Sequence, residues 1–328
     1  MVVLVVGANG QLGARCAAML MSRGHDVRGS VRVLARGEAL ARTGVEVVQG
    51  DLGSREGLAT ALAGVDTVLV TANPVVPRAG DRPEAVYAGL LRLVDDADAS
   101  GVRRVVLVSV PKTPLDTAVP TVRHRRRMED RLSAAGYEHV VLRFPPFMEC
   151  WLALVGSSIP LRGEPYATVG RPSPFLRRVR ALTGSSIEGR GLMLVPGRPT
   201  NRNAFIAAQD VAAACAEAVE RPDVTNRVVE VGGPEVLTWL EVAALYEEVL
   251  HRRVRVMSTP ASVYAAASSV LRPVAEVPAA TMALNRLLAA TETPWPPGGG
   301  LVDPASMVTV REFLHAKAAL PAALPEVA

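Results

Sequence analysis

A doubly wound parallel sheet with helices on both faces is the fold class this sequence predicts, and three observations predict it. Short apolar runs alternate with helix-patterned segments from Val2 to Phe144, the rhythm of repeated βαβ units. The first run, Val2 to Val6, is almost entirely β-branched and enters a glycine turn directly. The composition is that of an ordinary globular chain, with 328 residues, 49% of them hydrophobic and 21% charged, long enough for one core domain and a smaller appended one.

Each element has its own signal. Val2–Val6 reads as a strand buried on both faces. Gln11–Arg23 is rich in Ala, Leu and Met and stops at Gly24, which predicts a helix. Asp26–Arg32 is the second strand, Glu38–Arg42 a short helix and Val45–Gln49 the third strand. Ser54 can cap a helix that ends at Ala63, before Gly64. Asp66–Val70 is the fourth strand, and Pro83 opens a helix that runs to Ser100 and stops at Gly101. Val105–Ser109 is the fifth strand, Thr121–Ala135 a helix closed by Gly136, and His139–Phe144 the sixth strand. The crossovers are expected to be right-handed.

Past Phe147 the pattern changes. Ser157–Arg202 is rich in Gly, Pro, Ser and Arg, and is expected to form a loop-rich insertion. Ala207–Glu220 and Thr238–Leu250 read as helices, Val228–Val231 as a strand, and the tail from Ser258 as Ala-rich, Pro-broken helix. The expected division is a sheet domain over 1–150, to which 203–235 returns. A smaller domain over 151–202 and 236–328 would cover the carboxyl edge of the sheet.

Several classes are excluded as expectations. A net charge of +4 favours an anionic ligand slightly and falls well short of a nucleic-acid-binding signature. No apolar stretch reaches the roughly 18 residues of a membrane helix, and Met1–Val6 is too short for a signal-peptide core, so a cytoplasmic location without a membrane partner is expected. Cys16, Cys150 and Cys215 are far apart, and are expected to be reduced thiols. His25, His124, His139, His251 and His315 show no ligand spacing and no acidic cluster accompanies them, so no metal is expected.

The chemistry begins at Gly7, Gly10 and Gly13, a Gly-x-x-Gly-x-x-Gly spacing between the first strand and the first helix. Gly7 permits the sharp turn, Gly10 lets the backbone approach a pyrophosphate, and Gly13 lets the helix pack close to the strand. A helix N-terminus in that place presents N–H groups and a partial positive charge to phosphates. The sheet is therefore of the Rossmann type. The second strand ends without the carboxylate that binds the ribose hydroxyls of NADH and offers Arg32 instead, whose guanidinium suits a 2′-phosphate. NADPH is the expected cofactor and NADH the less favoured one. Arg28 and Arg36 are secondary candidates, and a solvated surface role for Arg32 remains open.

Gly7-Ala8-Asn9-Gly10-Gln11-Leu12-Gly13, Gly24-His25-Asp26-Val27-Arg28 and Val45-Glu46-Val47-Val48-Gln49-Gly50-Asp51-Leu52 resemble the atypical, NmrA-like short-chain dehydrogenase/reductases. Leu142 to Glu149, Phe205-Ile206 with Asp210-Val211-Ala212, and Gly232-Gly233-Pro234-Glu235 are similar to later motifs of that family. The resemblance spans about residues 1–257. It implies that Asp51 bonds the adenine and Leu52 packs on it, and that Thr71, Ala72 and Asn73 line the adenosine ribose side. It further implies that Asn9, Gln11 and Leu12 belong to the phosphate turn, and that Ser109, Val110, Pro145 and Phe147 lie near the nicotinamide.

The chain departs from the wider family at one point. The Tyr-x-x-x-Lys pair of short-chain dehydrogenases, in which lysine acidifies a tyrosine that protonates a ketone oxygen, falls here on Thr121 and Arg125. Arg125 shares a helix face with Val122, Met128 and Leu132 and is expected to point inward, where it could hold a ribose or a phosphate. It cannot relay a proton at neutral pH. For the rest of the run Arg123–Arg127 a solvated helix face is expected. Ser109 could supply a proton, or could simply bond at the strand end. General acid help is worth about 10²–10⁴ in rate, so hydride transfer survives its loss if the substrate is already activated. The expected partner is a small, apolar ketone or quinone bound by a monomer or homodimer. Trp151, Tyr166, Phe175 and Trp295, with Met148, Met193 and Met282, could line an apolar pocket, but each taken alone reads first as an ordinary packing residue. The readings left open are a reductase of a bulky, aromatic polycyclic, polyketide-type ketone, a quinone reductase, and a non-catalytic NADP(H)-sensing regulator.

Overall fold

The computed structural model describes residues 1–54, 57–73, 83–164, 181, 183–272 and 276–321. Seven parallel strands form the main sheet: β1 (Val2–Val6), β2 (Asp26–Val31), β3 (Glu46–Gln49), β4 (Thr67–Val70), β5 (Arg104–Ser109), β6 (Glu138–Arg143) and β9 (Arg227–Glu230). Their order is β3-β2-β1-β4-β5-β6-β9, with every neighbouring pair parallel. From β1 the chain winds outward through β2 and β3, then returns to place β4 on the other flank of β1. The carboxyl ends of β1 and β4 therefore bracket the switch point, the place where open α/β sheets bind ligands.

The helices of this unit are α1 (Gln11–Ser22), α2 (Glu38–Ala41), α3 (Leu58–Leu62), α4 (Pro83–Ala99), α5 (Pro120–Ser133) and α8 (Ala208–Glu220). Leu4, Val68, Val105 and Val141 from the strands meet Leu90 and Leu93 of α4 and Met128 and Leu132 of α5 in one buried core. Cys16 of α1 and Cys215 of α8 are buried free thiols, and burial with the Cys16 neighbour pushes the Cys215 thiol well above its usual range. Arg104 opens β5 almost fully buried. It pairs with Glu138 at 2.7 Å and donates to the carbonyls of Ala218, Val219 and Arg221, which ties the C-terminal end of α8 to the sheet.

By contact grouping, this first unit comprises Met1–Phe144, Ala208–Val231 and Gly299–Val302, and the second comprises Pro145–Ala207, Gly232–Gly298 and Asp303–Ala328. The second unit holds α6 (Met148–Leu154), α7 (Ser186–Arg190), α9 (Trp239–Leu250), α10 (Ala261–Leu271), α11 (Glu276–Ala290) and α12 (Val310–Ala318). It also holds two ribbons: β7 (Leu192–Pro196) parallel to β11 (Arg255–Thr259), and β8 (Arg202–Ala204) antiparallel to β10 (Val236–Thr238). Thr238 and Thr309 cap α9 and α12 through reciprocal bonds with Glu241 and Glu312, the capping-box signature. Trp239 anchors the core, 6.0 Å from Trp151 and edge-on to Phe205.

Within the loop-rich segment Ser157–Arg202 the described residues include α7 and β7. Trp151, Met148 and Met193 lie in the buried core of the second unit, which makes them packing residues; Trp295 is half-buried, and Tyr166 and Phe175 fall outside the described residues. The helix expected from Ser54 starts only at Leu58, and the Ser54 hydroxyl donates to Asp51 instead. Among the described residues no helix is long and apolar enough to cross a membrane, and no His/Cys/Asp/Glu group is arranged to hold a metal.

Candidate functional site

The turn after β1 brings the first set of site residues to the switch point. Gly7 has φ +89° and its amide neighbourhood abuts Ala72, whose backbone would lie 3.0 Å from any Cβ at that position. A Cβ on Gly13 would sit 2.2 Å from the Gly7 carbonyl oxygen, so α1 can start this close to the strand only with glycine there. Gly10 caps α1 with no side-chain bond, and the first turn carries no acidic residue. Leu12 and Gln11 are buried beneath the turn, and Asn9 is half-buried. Across from it, the amides of Thr71 and Ala72 both donate to the Val6 carbonyl, as does the Thr71 hydroxyl. Asn73 follows, with its Oδ1 buried and unpartnered.

At the adenosine end, Arg32 follows β2 directly and is half-buried, with exposed Arg36 a turn further on. Arg28 is removed from candidacy. Its guanidinium pairs with Glu46 at 2.9 Å and donates to the carbonyls of Ala61 and Ala63, which makes it a tie between β2, β3 and α3. Asp51 closes its own turn by accepting from the Gly53 amide at 2.8 Å. Leu52 is in the core of the unit.

At the other end, Ser109 closes β5 and its hydroxyl donates to Glu129 at 2.5 Å. Its proton is directed at a carboxylate, the strand-end bond that was one of the two roles open to it. Glu129 is buried and also receives Arg143 at 2.6 Å and Arg126. Burial raises its pKa, but the Arg143 and Ser109 hydrogen bonds and the two cations outweigh it and hold the carboxyl below its usual range. Arg126 reaches further, to Asp116 at 2.7 Å and to the carbonyls of Val110 and Pro111. The backbone at Val110 is thus pinned by α5. Arg126 is no solvated residue, contrary to expectation; of the run, only Arg127 is exposed.

Arg125 points inward, with 1% of its surface exposed. One nitrogen, Nη2, donates to the Ala72 carbonyl at 2.5 Å, while Nε and Nη1 are buried without partners. Facing it is a residue the sequence did not single out, Tyr87 of α4. Its ring stacks on His124 at 4.1 Å, and its hydroxyl lies beside Thr121 and Arg125, buried and without a completed hydrogen bond. Burial pushes its phenol up, against the pull of Thr121 and Arg125. Pro145 and Phe147 belong to the second unit; the Phe147 segment pairs there with Ile206.

The turn fits a dinucleotide: a glycine turn that α1 approaches closely only because residue 13 is glycine, an uncapped helix start without acid, and a cation where NADH sites keep a carboxylate. Fold and turn together define a nucleotide-binding α/β protein of the Rossmann class. The family model for the NmrA-like family matches residues 1–278, and the chain belongs to that family. One relative is the (4-alkanoyl-5-oxo-2,5-dihydrofuran-3-yl)methyl phosphate reductase of Streptomyces griseus subsp. griseus, 34% identical over 200 residues, 57% of this chain and 65% of the relative. The NAD(P)H azoreductase of Xenophilus azovorans is 26% identical over 253 residues, 77% of this chain and 75% of the relative. Among solved structures, an NADPH-dependent quinone oxidoreductase from Escherichia coli in complex with NADPH superposes with a TM-score of 0.68 at 21% identity, over 96% of this chain and 99% of that one.

Proposed function

We propose that this protein is an NADPH-dependent reductase that delivers hydride to a carbonyl of a bulky, apolar, aromatic polycyclic acceptor of the polyketide type. The observation that carries the reading is the pair of residues at the positions of the usual proton-donating couple. Thr121 and Arg125 stand there, and Ser109, the other hydroxyl of that region, is bound to Glu129. A site so built needs an acceptor that is already activated.

The residues that would hold the cofactor are Gly7, Asn9, Gly10, Gln11, Leu12 and Gly13 at the diphosphate and Arg32 at the 2′-phosphate. Asp51 and Leu52 would serve the adenine, Thr71, Ala72 and Asn73 the ribose side, and Val110, Pro145 and Phe147 the nicotinamide. Bound NADPH supplies the hydride. The chain's own residues position it. Positioning alone is worth about 7–11 kcal/mol of barrier, more than the roughly 3–5 kcal/mol forfeited with a general acid. The names of the relatives, an azoreductase, a furanone phosphate reductase and a quinone oxidoreductase, support reduction of conjugated acceptors by a nicotinamide nucleotide.

Loss of NADPH absorbance with a panel of hydroxylated polycyclic ketones and quinones tests the reading. Turnover is expected. Tight NADPH binding with no turnover on any member would replace it with the NADP(H)-sensing reading. Arg32→Asp is expected to weaken NADPH by at least tenfold, about 1.4 kcal/mol, and to spare NADH; equal losses for both would remove Arg32 from the 2′-phosphate.

A further inference from the structure

We infer that Arg125 and Tyr87 form an oxyanion hole, and that it selects acceptors whose reduced form is a delocalised oxyanion, quinones and conjugated enones, over isolated ketones. The inference rests on the reductase reading above and deepens it.

The starting point is a comparison of two buried arginines. Arg104 has an ion-paired carboxylate and three backbone carbonyls on its guanidinium, so every face is satisfied. Arg125 is more deeply buried and has one carbonyl. Among the described residues no carboxylate forms an ion pair with it; Glu129, one turn on, attracts it but is taken up by Arg126, Arg143 and Ser109. A buried cation without a counter-ion is costly, and a structural arginine has no reason to bear that cost. The Ala72 carbonyl that it does reach belongs to the segment packed against Gly7, so the free Nε and Nη1 sit at the carboxyl edge of β4, beside the dinucleotide turn.

Tyr87 adds a second donor at the same place. Its hydroxyl is also buried, with the Thr121 hydroxyl beside it, and burial keeps it neutral and therefore a donor. The Arg125 Nε and Nη1 and the Tyr87 hydroxyl, one group cationic and one neutral, are donors to spare at one place and call for a ligand oxygen that carries negative charge. The charge is then handled without an acid. The C–H bond of the reduced nicotinamide breaks and leaves the oxidised nucleotide, a C–H bond forms at the carbon conjugated to the carbonyl, the π pair moves onto oxygen, and the oxyanion rests against Arg125 and Tyr87. It takes its proton from water on release. A guanidinium cannot give up its proton, so the anion must survive unprotonated. Enolates and phenolates do; an aliphatic alkoxide is far more basic and does not.

Three variants and one probe test this. Arg125→Met is expected to raise the Tm of the ligand-free protein, because an unpaired buried charge is replaced by an apolar chain. The same variant is expected to lower kcat on quinones by about 10²–10³ while leaving the dissociation constant for NADP+ unchanged. Tyr87→Phe should lower kcat less, by roughly tenfold, the neutral donor being the weaker of the two. The probe is 4-nitrophenol, whose absorbance reports its ionisation. The wild-type protein loaded with NADP+ is expected to bind it as the anion at a pH where the free dye is mostly neutral, and Arg125→Met and Arg125→Gln are expected to lose that shift. A fall in Tm for Arg125→Met, a collapse of NADP+ affinity in it, or a dye that binds neutral or not at all overturns the inference. So does equal turnover of isolated ketones and quinones, whereas turnover of nothing at all overturns the reductase reading and leaves the dye result to be judged by itself.

Discussion

A single carboxylate organises the far end of the site. Glu129 sits between Arg126 and Arg143 and takes the Ser109 proton. Its removal as Glu129→Gln leaves two partly buried cations without their charge partner, and a loss of about 3–5 kcal/mol is expected. Because its folded pKa lies below the ordinary glutamate range, the stability it supplies is complete above that range and vanishes as pH falls through the depressed value. The thermal-stability gap between wild type and variant should therefore close only in strongly acid solution. A gap already closed at mildly acid pH would mean the carboxyl is not held ionised. The sequence shows Arg125 well, since Val122, Met128 and Leu132 on its face are all buried as the spacing implies. It hides Arg126, because what buries that residue is Asp116 and the carbonyls of Val110 and Pro111. None of these is a property of the helix face. Tyr87 was invisible for a related reason: its spacing on α4 is that of an ordinary core residue, and only the packing of α4 on α5 brings its hydroxyl to Arg125.

At the scale of elements, α4 shows why a helix tolerates an unfavourable residue. Gly89 sits in its middle, where glycine costs about 1 kcal/mol against alanine. A Cβ there would lie 1.8 Å from the Leu52 carbonyl oxygen. Gly89→Ala should gain the propensity and lose more to overpacking, for a net destabilisation of about 2 kcal/mol. The displaced Asp51–Leu52 turn should also weaken NADPH binding. Denaturant titration and a cofactor titration read the two effects; an equally stable or more stable variant would mean the helix does not press on that turn. The parallel strands were legible because burial on both faces demands continuous apolar runs, as in Val2–Val6 and Arg104–Ser109. The strands β8 and β11 were not. They are short edge ribbons, and β11 has mostly exposed or half-exposed residues, so neither carries the double-sided apolar signature.

The whole molecule divides where the sheet stops recruiting strands. The second unit begins at Pro145, directly after β6, and the first resumes at Ala208 with α8. The sequence points to a return near residue 203, and the difference is the stretch 203–207, which includes the end of β8. β8 pairs antiparallel with β10 rather than joining the parallel sheet, a choice that local composition does not encode. The switch point, by contrast, depends on elements that were all legible, so ligand linkage should be concentrated there. A nucleotide that binds only the folded chain stabilises it by about 2.7 kcal/mol at a hundredfold excess over its dissociation constant. NADPH is expected to give the larger rise in Tm and NADH at equal concentration the smaller one, in proportion to their affinities. Hydrogen exchange locates the effect. Amides from Gly7 to Gly13 and from Thr71 to Asn73 should slow on NADPH addition, since the turn and the end of β4 abut at the switch point, where the nucleotide is proposed to bind. A rise in Tm without slowing in either segment would place the nucleotide elsewhere and detach Arg125, with its bond to the Ala72 carbonyl, from the chemistry assigned to it.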